Sequence, residues 1–171
     1  MMVVRVLLLA MWALGAQAAE KTSPVLIGHV YDPEAFKPTA LPYRGDFDRL
    51  MTEYEALDGE TFRVRREDFG GSAEAEWLIV SPERRCGAEG CAYTLIDDQH
   101  AREIGRFLGS LIVLKRQQNG YAVVQTLNRH DEGFSSVRTY VYSERTYQVE
   151  DDVLIGEAAR LRLMTQLEQR R

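Results

Sequence analysis

The chain has 171 residues, of which 45% are hydrophobic and 27% are charged, and its formal net charge is -5. This composition is typical of a globular protein and excludes a disordered or fibrous chain. The mild acidity argues against nucleic acid or anionic lipid as the main partner, because both require a basic surface.

The first residues have the pattern of a cleavable secretory signal peptide. Arg5 supplies a positive charge, an apolar run follows from Val6 to Ala16, and small residues at Ala16 and Ala18 fit the site that a signal peptidase reads. The run is shorter than the roughly 20 residues that cross a bilayer. We therefore expect residues 1–19 to be a signal peptide and the mature protein to be periplasmic or secreted, without stable membrane insertion.

Residues 20–43 are predicted to form an extended N-terminal arm and a proline-rich loop. A short β-branched run before Tyr31 favours a strand or a docking arm. Three prolines follow between residues 33 and 42, and they remove backbone donors and disfavour helix. The rest of the chain, residues 44–171, is predicted to be a single α+β domain.

This domain is predicted to begin with a helix. Asp46 is a residue type that caps helices, apolar residues follow at helical spacing as far as Leu57, and Gly59 stands where the helix would end. An amphipathic helix is also predicted over residues 154–169. Its apolar stripe contains Leu154, Ala158, Leu161, Met164 and Leu167. We expect this helix to cover a sheet, and the alternative is that its stripe binds a partner.

Between the two helices the hydrophobic period changes to two, which predicts β-strands. The predicted strands are residues 62–65, 77–80, 92–96, 111–115, 121–127 and 134–142, and residues 102–108 and 145–149 are further candidates. Asn119-Gly120 favours a type I′ hairpin turn, and the short connections favour antiparallel pairing. The predicted fold class is therefore α+β: an antiparallel β-meander of about five to seven strands with an N-terminal helix and a C-terminal amphipathic helix.

Cys86 and Cys91 are the only cysteines, and they enclose a short segment that contains two glycines. In an exported protein this spacing predicts a disulfide that staples a hairpin. A redox pair fits less well, because thioredoxin-like pairs have two intervening residues and this pair has four. A zinc site fits less well too, because it needs about four ligands and the chain has three histidines to add.

The run CGAEGC, which follows one apolar strand and precedes another with the sequence AYTLI, resembles a pattern found in small secreted proteins of proteobacteria. The resemblance covers residues 77–149 and implies a shared disulfide hairpin, with no catalytic or binding residue carried over. More distantly, the chain is similar in general kind to small periplasmic β proteins that inhibit lysozymes. Their inhibitory loop sequences are absent from this chain.

Two clusters place carboxylates beside imidazoles at predicted strand ends. If these loops met, His100, His130 and Asp131 would bind a divalent metal or carry out general acid-base chemistry. The alternative is that these residues belong to ordinary solvated turns.

A candidate binding face lies in the last predicted strands. Its residues are Arg138, Tyr140, Tyr142, Arg145 and Tyr147. Tyrosine with arginine is the composition of binding hot spots and of surfaces on which sugars stack. The alternative is cross-strand packing of tyrosines within a sheet.

No nucleophile elbow or phosphate-binding loop is present in the sequence. We therefore expect an exported, non-enzymatic envelope protein that binds a protein or a cell-wall component and needs no cofactor. Lysozyme inhibition is a special case of this hypothesis. The alternative is a small periplasmic hydrolase or metal-dependent enzyme that uses His100, His130 and nearby carboxylates.

Overall fold

The computed structural model describes residues 28–56, 61–71, 75–82, 86–130 and 133–169. Within these ranges the protein is mostly antiparallel β, with ten strands in two five-stranded sheets and two α-helices. The predicted signal peptide lies outside the described residues. Within them, no helix is long and apolar enough to cross a membrane.

In chain order, the elements are β1 (Gly28–Val30), a 3-10 helix (Pro33–Ala35), β2 (Lys37–Ala40), α1 (Asp46–Glu53), β3 (Thr61–Glu67), β4 (Glu76–Val80), β5 (Ala92–Asp97), β6 (Arg102–Leu108), β7 (Ser110–Gln118), β8 (Tyr121–Arg129), β9 (Phe134–Ser143), β10 (Thr146–Gly156) and α2 (Glu157–Glu168).

Each sheet is built mainly from strands that are consecutive in the chain. Sheet 1 has the spatial order β1-β7-β8-β9-β10, and sheet 2 has the order β2-β3-β4-β5-β6. All pairs among these ten strands are antiparallel, and only β1 pairs out of chain order, beside β7. Asn119 and Gly120 have positive φ values of 54° and 82° in the turn between β7 and β8, as the predicted type I′ turn requires.

The alternation of side chains along the strands sets the layers of the fold. On β4, Leu78 and Val80 face the space between the sheets, whereas Ile79 packs beneath α1. On β7, Leu111 faces the same central space, whereas Ile112 belongs to the cluster that α2 covers. The layers are therefore α1, sheet 2, sheet 1 and α2, and the helices cover part of the outer face of each sheet.

Phe107 on β6 joins the two sheets. Its side chain is 1% exposed, and its ring makes edge contacts with Tyr140 and Tyr147 of sheet 1 at centroid distances of 5.1 and 5.3 Å. A Cβ at Gly105 would lie 2.7 Å from the Phe107 ring, so the glycine leaves room for it. The Tyr147 hydroxyl donates a hydrogen bond to the Ala122 carbonyl at 2.8 Å.

The prediction of one meander with about five to seven strands is wrong in strand count. The proline-rich segment contains β2, in which Pro38 lies opposite Arg63. An edge strand tolerates proline because only its inner side needs backbone donors. The described chain also does not open on a helix, since β1 and β2 precede α1. Leu57 and Gly59, which the predicted helix included, lie outside the described residues.

The C-terminal helix begins later than predicted, and a different side of it is buried. Leu154 belongs to β10, where it pairs with Ser136 and is exposed. Within α2, Leu163 is buried and Met164 packs against the same cluster, whereas Leu161 is exposed. The position at which β10 ends sets the rotation of α2, and periodicity alone does not contain that information.

Candidate functional site

The structure does not bring His100 and His130 together. His100 lies in the turn that leads into β6, and His130 follows β8 next to Asn128, which contacts Gly109 beyond the far end of β6. A strand of this length separates the two histidines by about 20 Å. Asp131 lies outside the described residues, and no group of three or more candidate metal ligands occurs among the residues that are described.

Each histidine instead has a local partner. The Nδ1 atom of His100 is 2.6 Å from Oδ2 of Asp97, the last residue of β5. The Nε2 atom of His130 is 2.9 Å from the Ser136 hydroxyl. These contacts belong to two separate turns, so they do not form one acid-base or metal centre.

The five residues of the candidate binding face do not share an exposed surface. Tyr140 and Tyr147 are only 6% and 8% exposed, because they belong to the core between the sheets. Tyr142 is half-buried and stacks on Tyr121 with ring centroids 3.7 Å apart. Arg138 is paired with Asp152, and Arg145 lies in the turn between β9 and β10. Most of the candidate binding face is therefore buried between the two sheets or engaged in contacts within the protein.

A groove of about 470 Å³ lies at the β2 edge of sheet 2. Its lining comes from the 3-10 helix, β2, β3 and β4, and consists of Ala35, Lys37, Thr39, Val64, Arg65, Arg66 and Trp77. We call it the basic groove, because three of these side chains are cations and none is a carboxylate. Lys37 is exposed and forms no ion pair with any described residue.

Arg66 contacts the Trp77 ring in the groove and is itself held by the carboxylate of Asp98. The Arg66 guanidinium lies 4.7 Å from the centroid of the Trp77 ring and bonds to Asp98 at 2.8 Å. Arg44 bonds to the other oxygen of Asp98 at 2.5 Å. Partial burial opposes ionisation of Asp98, but the hydrogen bond from Arg66 and the positive charges of Arg66 and Arg44 keep the pKa of Asp98 below its usual range. The ionised carboxylate of Asp98, which does not line the groove, therefore positions the Arg66 side chain within it.

A second and smaller pocket, of about 170 Å³, lies between the cysteine loop, the end of β8 and α2. We call it the cysteine-loop pocket. It is lined by Ala88, Glu89, Gly90, Ser110, Leu127, Arg129, Ser135, Arg160 and Met164. The predicted disulfide between Cys86 and Cys91 is confirmed, and Gly87 and Gly90 close its loop with two reciprocal backbone hydrogen bonds of 3.0 Å.

Removal of the disulfide is expected to lower the free energy of unfolding by about 2 kcal/mol, because the unfolded chain regains the freedom that a short ring removes. The measurement is urea unfolding of the oxidised protein and of the double variant Cys86→Ser/Cys91→Ser. Equal midpoints for both proteins would show that the loop is already restricted without the bond.

Comparison of the chain with protein-family models, with curated proteins and with solved structures found no match. Both pockets therefore have to be interpreted from their own residues. Sequence reasoning missed them, because each combines segments that are distant in the chain. The alternating arginines of β3 were visible, but nothing in the sequence places Lys37 beside them.

Proposed function

We propose that the protein is an exported, non-enzymatic envelope protein that binds an anionic partner, a protein or a cell-wall component, at the basic groove. The observation that carries this proposal is the charge of the groove. Three cations and no carboxylate line it within the described ranges, although the whole chain has a net charge of -5. Arg65 is paired with Glu67 and Arg66 with Asp98, so Lys37 is the lining cation without an ion pair among the described residues. A concave surface of one sign attracts and orients ligands of the opposite sign.

The chemistry of the lining favours binding over catalysis. The described lining of the groove presents lysine, arginine, threonine and tryptophan but no histidine or carboxylate, which are the side chains that most often transfer protons near neutral pH. The enzymatic alternative depended on His100 and His130, and these lie at opposite ends of β6. No second function has comparable support.

The arrangement of Trp77 indicates which ligand chemistry fits. Arg66 lies over the indole ring at 4.7 Å, so a neutral sugar would have to displace the guanidinium in order to stack there. A carboxylate would instead meet Arg66 directly, and Lys37 would add a second contact. Charge-assisted hydrogen bonds of this kind are about twice as strong as neutral ones. The expected partner is therefore an acidic peptide segment or an acidic cell-wall polymer.

The disulfide and the absence of a membrane-spanning helix among the described residues are compatible with a periplasmic or extracellular location. An oxidising compartment is where such a bond forms and persists. This compatibility supports the location that the proposal assumes.

Charge reversal at Lys37 tests the site. Lys37→Glu is expected to weaken binding of an acidic polymer by about tenfold, a cost of about 1.4 kcal/mol. Lys115→Glu is the matched control, since Lys115 is also exposed, lies on a strand and has no ion-pair partner among the described residues. The probes are poly-glutamate, peptidoglycan sacculi and a neutral chitin oligosaccharide, and the measurements are biolayer interferometry and, for the sacculi, co-sedimentation.

Binding of the anionic probes should be saturable and should weaken as salt is raised, because exposed charges are screened. Lys115→Glu should change affinity by less than about twofold. Absence of binding to both anionic probes, or equal losses in the two variants, would contradict the assignment of the groove.

A further inference from the structure

The cysteine-loop pocket contains a buried hydroxyl group without a partner among the described residues. Ser135 on β9 is 0% exposed and lines the pocket, and its Oγ atom has no hydrogen-bond partner in the described part of the chain. Its neighbour Ser136 is equally buried but contacts His130 at 2.9 Å. Because buried polar groups in native proteins are almost always hydrogen-bonded, the Ser135 hydroxyl indicates a partner beyond the described residues, and a ligand in the pocket is one that fits.

Two charges of opposite sign line the same pocket, and both are unpaired within the described ranges. Arg129, at the end of β8, is exposed and forms no ion pair with a described residue, although its charge helps to lower the pKa of Glu157. Glu89, on the disulfide loop, is likewise without an ion-pair partner there. Arg160 also lines the pocket, but its charge is already paired with Glu157. From the residues that the structure describes, the pocket thus offers a cation and an anion that form no ion pair, and a hydroxyl that forms no hydrogen bond.

We propose that the cysteine-loop pocket binds a small zwitterion of the α-amino acid class. Arg129 and the Ser135 hydroxyl hold the ligand carboxylate, and Glu89 holds its ammonium group. A simple anion would satisfy Arg129 but would face the carboxylate of Glu89, and a simple amine would face the opposite conflict. A ligand that carries both charges pairs with both Arg129 and Glu89.

The size of the pocket sets the size of the ligand. A volume of about 170 Å³ corresponds to about five or six water molecules at roughly 30 Å³ each. Alanine has a similar number of non-hydrogen atoms. Ala88, Leu127 and Met164 supply an apolar lining for a short side chain, so glycine and alanine fit better than an amino acid with a long side chain.

The test is isothermal titration of the oxidised mature protein with glycine, L-alanine, D-alanine, acetate, methylamine and inorganic phosphate. Alanine is expected to bind at least about tenfold more tightly than acetate or methylamine. Arg129→Gln should weaken alanine binding by about tenfold or more, because it removes the unpaired cation. The control Arg116→Gln, which alters an exposed arginine paired with Glu150 on a different surface, should leave the affinity unchanged.

Ser135 provides a second readout that does not depend on the ligand. Ser135→Ala should weaken alanine binding and also raise the melting temperature of the ligand-free protein, because it removes an unsatisfied buried hydroxyl. Ser136→Ala, which breaks the contact with His130, should lower the melting temperature instead.

Three results would overturn the proposal: no saturable binding of any amino acid, tighter binding of phosphate than of alanine, or a lower melting temperature for Ser135→Ala. None of them bears on the basic groove, because neither Lys37 nor Arg66 lines this pocket.

Discussion

Replacement of Phe107 by alanine is expected to lower the free energy of unfolding by about 3–5 kcal/mol. The ring is 1% exposed and lies between the sheets, against Tyr140 and Tyr147. Truncation therefore loses burial and leaves a cavity that two opposing sheets cannot close by moving one side chain. Because domains of this size are stable by only about 5–15 kcal/mol, the variant would be close to its unfolding threshold.

Urea unfolding followed by intrinsic fluorescence measures this effect. Phe107→Leu retains most of the volume and should cost less than about 1.5 kcal/mol, so the position stays testable if the alanine variant does not fold. The matched control is Phe134→Ala at the start of β9, where the side chain is 50% exposed, and its expected cost is below about 1 kcal/mol. Equal costs at both positions would show that Phe107 does not join the sheets.

The individual strands of the meander were predictable because their signals are local. Phe62 and Val64 alternate with arginines and are buried on β3, as the period of two indicates. Asn119-Gly120 has the backbone angles that its hairpin requires. The cysteine pair lies close enough in the chain for its disulfide to be inferred from its spacing and from the predicted signal peptide. Each of these features depends on a few neighbouring residues.

The division into two sheets depends on a non-local event and was not predictable. The chain passes from sheet 2 to sheet 1 at Gly109, which has a φ of 108°. A Cβ at this position would lie 2.6 Å from the Leu127 carbonyl and 2.2 Å from Oδ1 of Asn128, so only glycine permits the close approach. From the sequence alone, Gly109 cannot be distinguished from a glycine in an ordinary hairpin turn. The prediction of one continuous meander follows from that ambiguity.

The candidate binding face failed for a related reason. Alternation on β9 predicts that Val137 and Val141 face the core and that Tyr140 and Tyr142 face solvent. Both faces of sheet 1 are covered, one by sheet 2 and the other partly by α2. Alternation cannot separate inside from outside in a sheet that is buried on both faces. The two candidate pockets lie elsewhere, one beside β2 at the edge of sheet 2 and one beside the disulfide loop.

Gly70→Ala is expected to lower the free energy of unfolding by about 3 kcal/mol, at the upper end of the cost of a strained backbone position. Gly70 has a φ of 97° and forms a β-bridge with Tyr121 at the tip of the β7–β8 hairpin. A Cβ there would lie 2.1 Å from the Gly120 carbonyl oxygen. The clash is with backbone that cannot move freely, because the Ala122 amide next to it donates a 2.6 Å hydrogen bond to the Phe69 carbonyl.

Substitutions at two other glycines distinguish the steric clash of an added Cβ from the cost of a positive φ. Gly120 has a φ of 82° with open space around its Cβ position, so Gly120→Ala should cost only about 1 kcal/mol. Gly87 has neither a positive φ nor a close neighbour, and Gly87→Ala should change stability by less than about 0.5 kcal/mol. Urea unfolding of the three variants, with hydrogen exchange at the Ala122 amide, measures the series. If Gly70→Ala lowers the free energy of unfolding no more than Gly120→Ala does, the predicted clash at Gly70 is relieved. The backbone at Gly70 would then be able to move away from the β7–β8 hairpin.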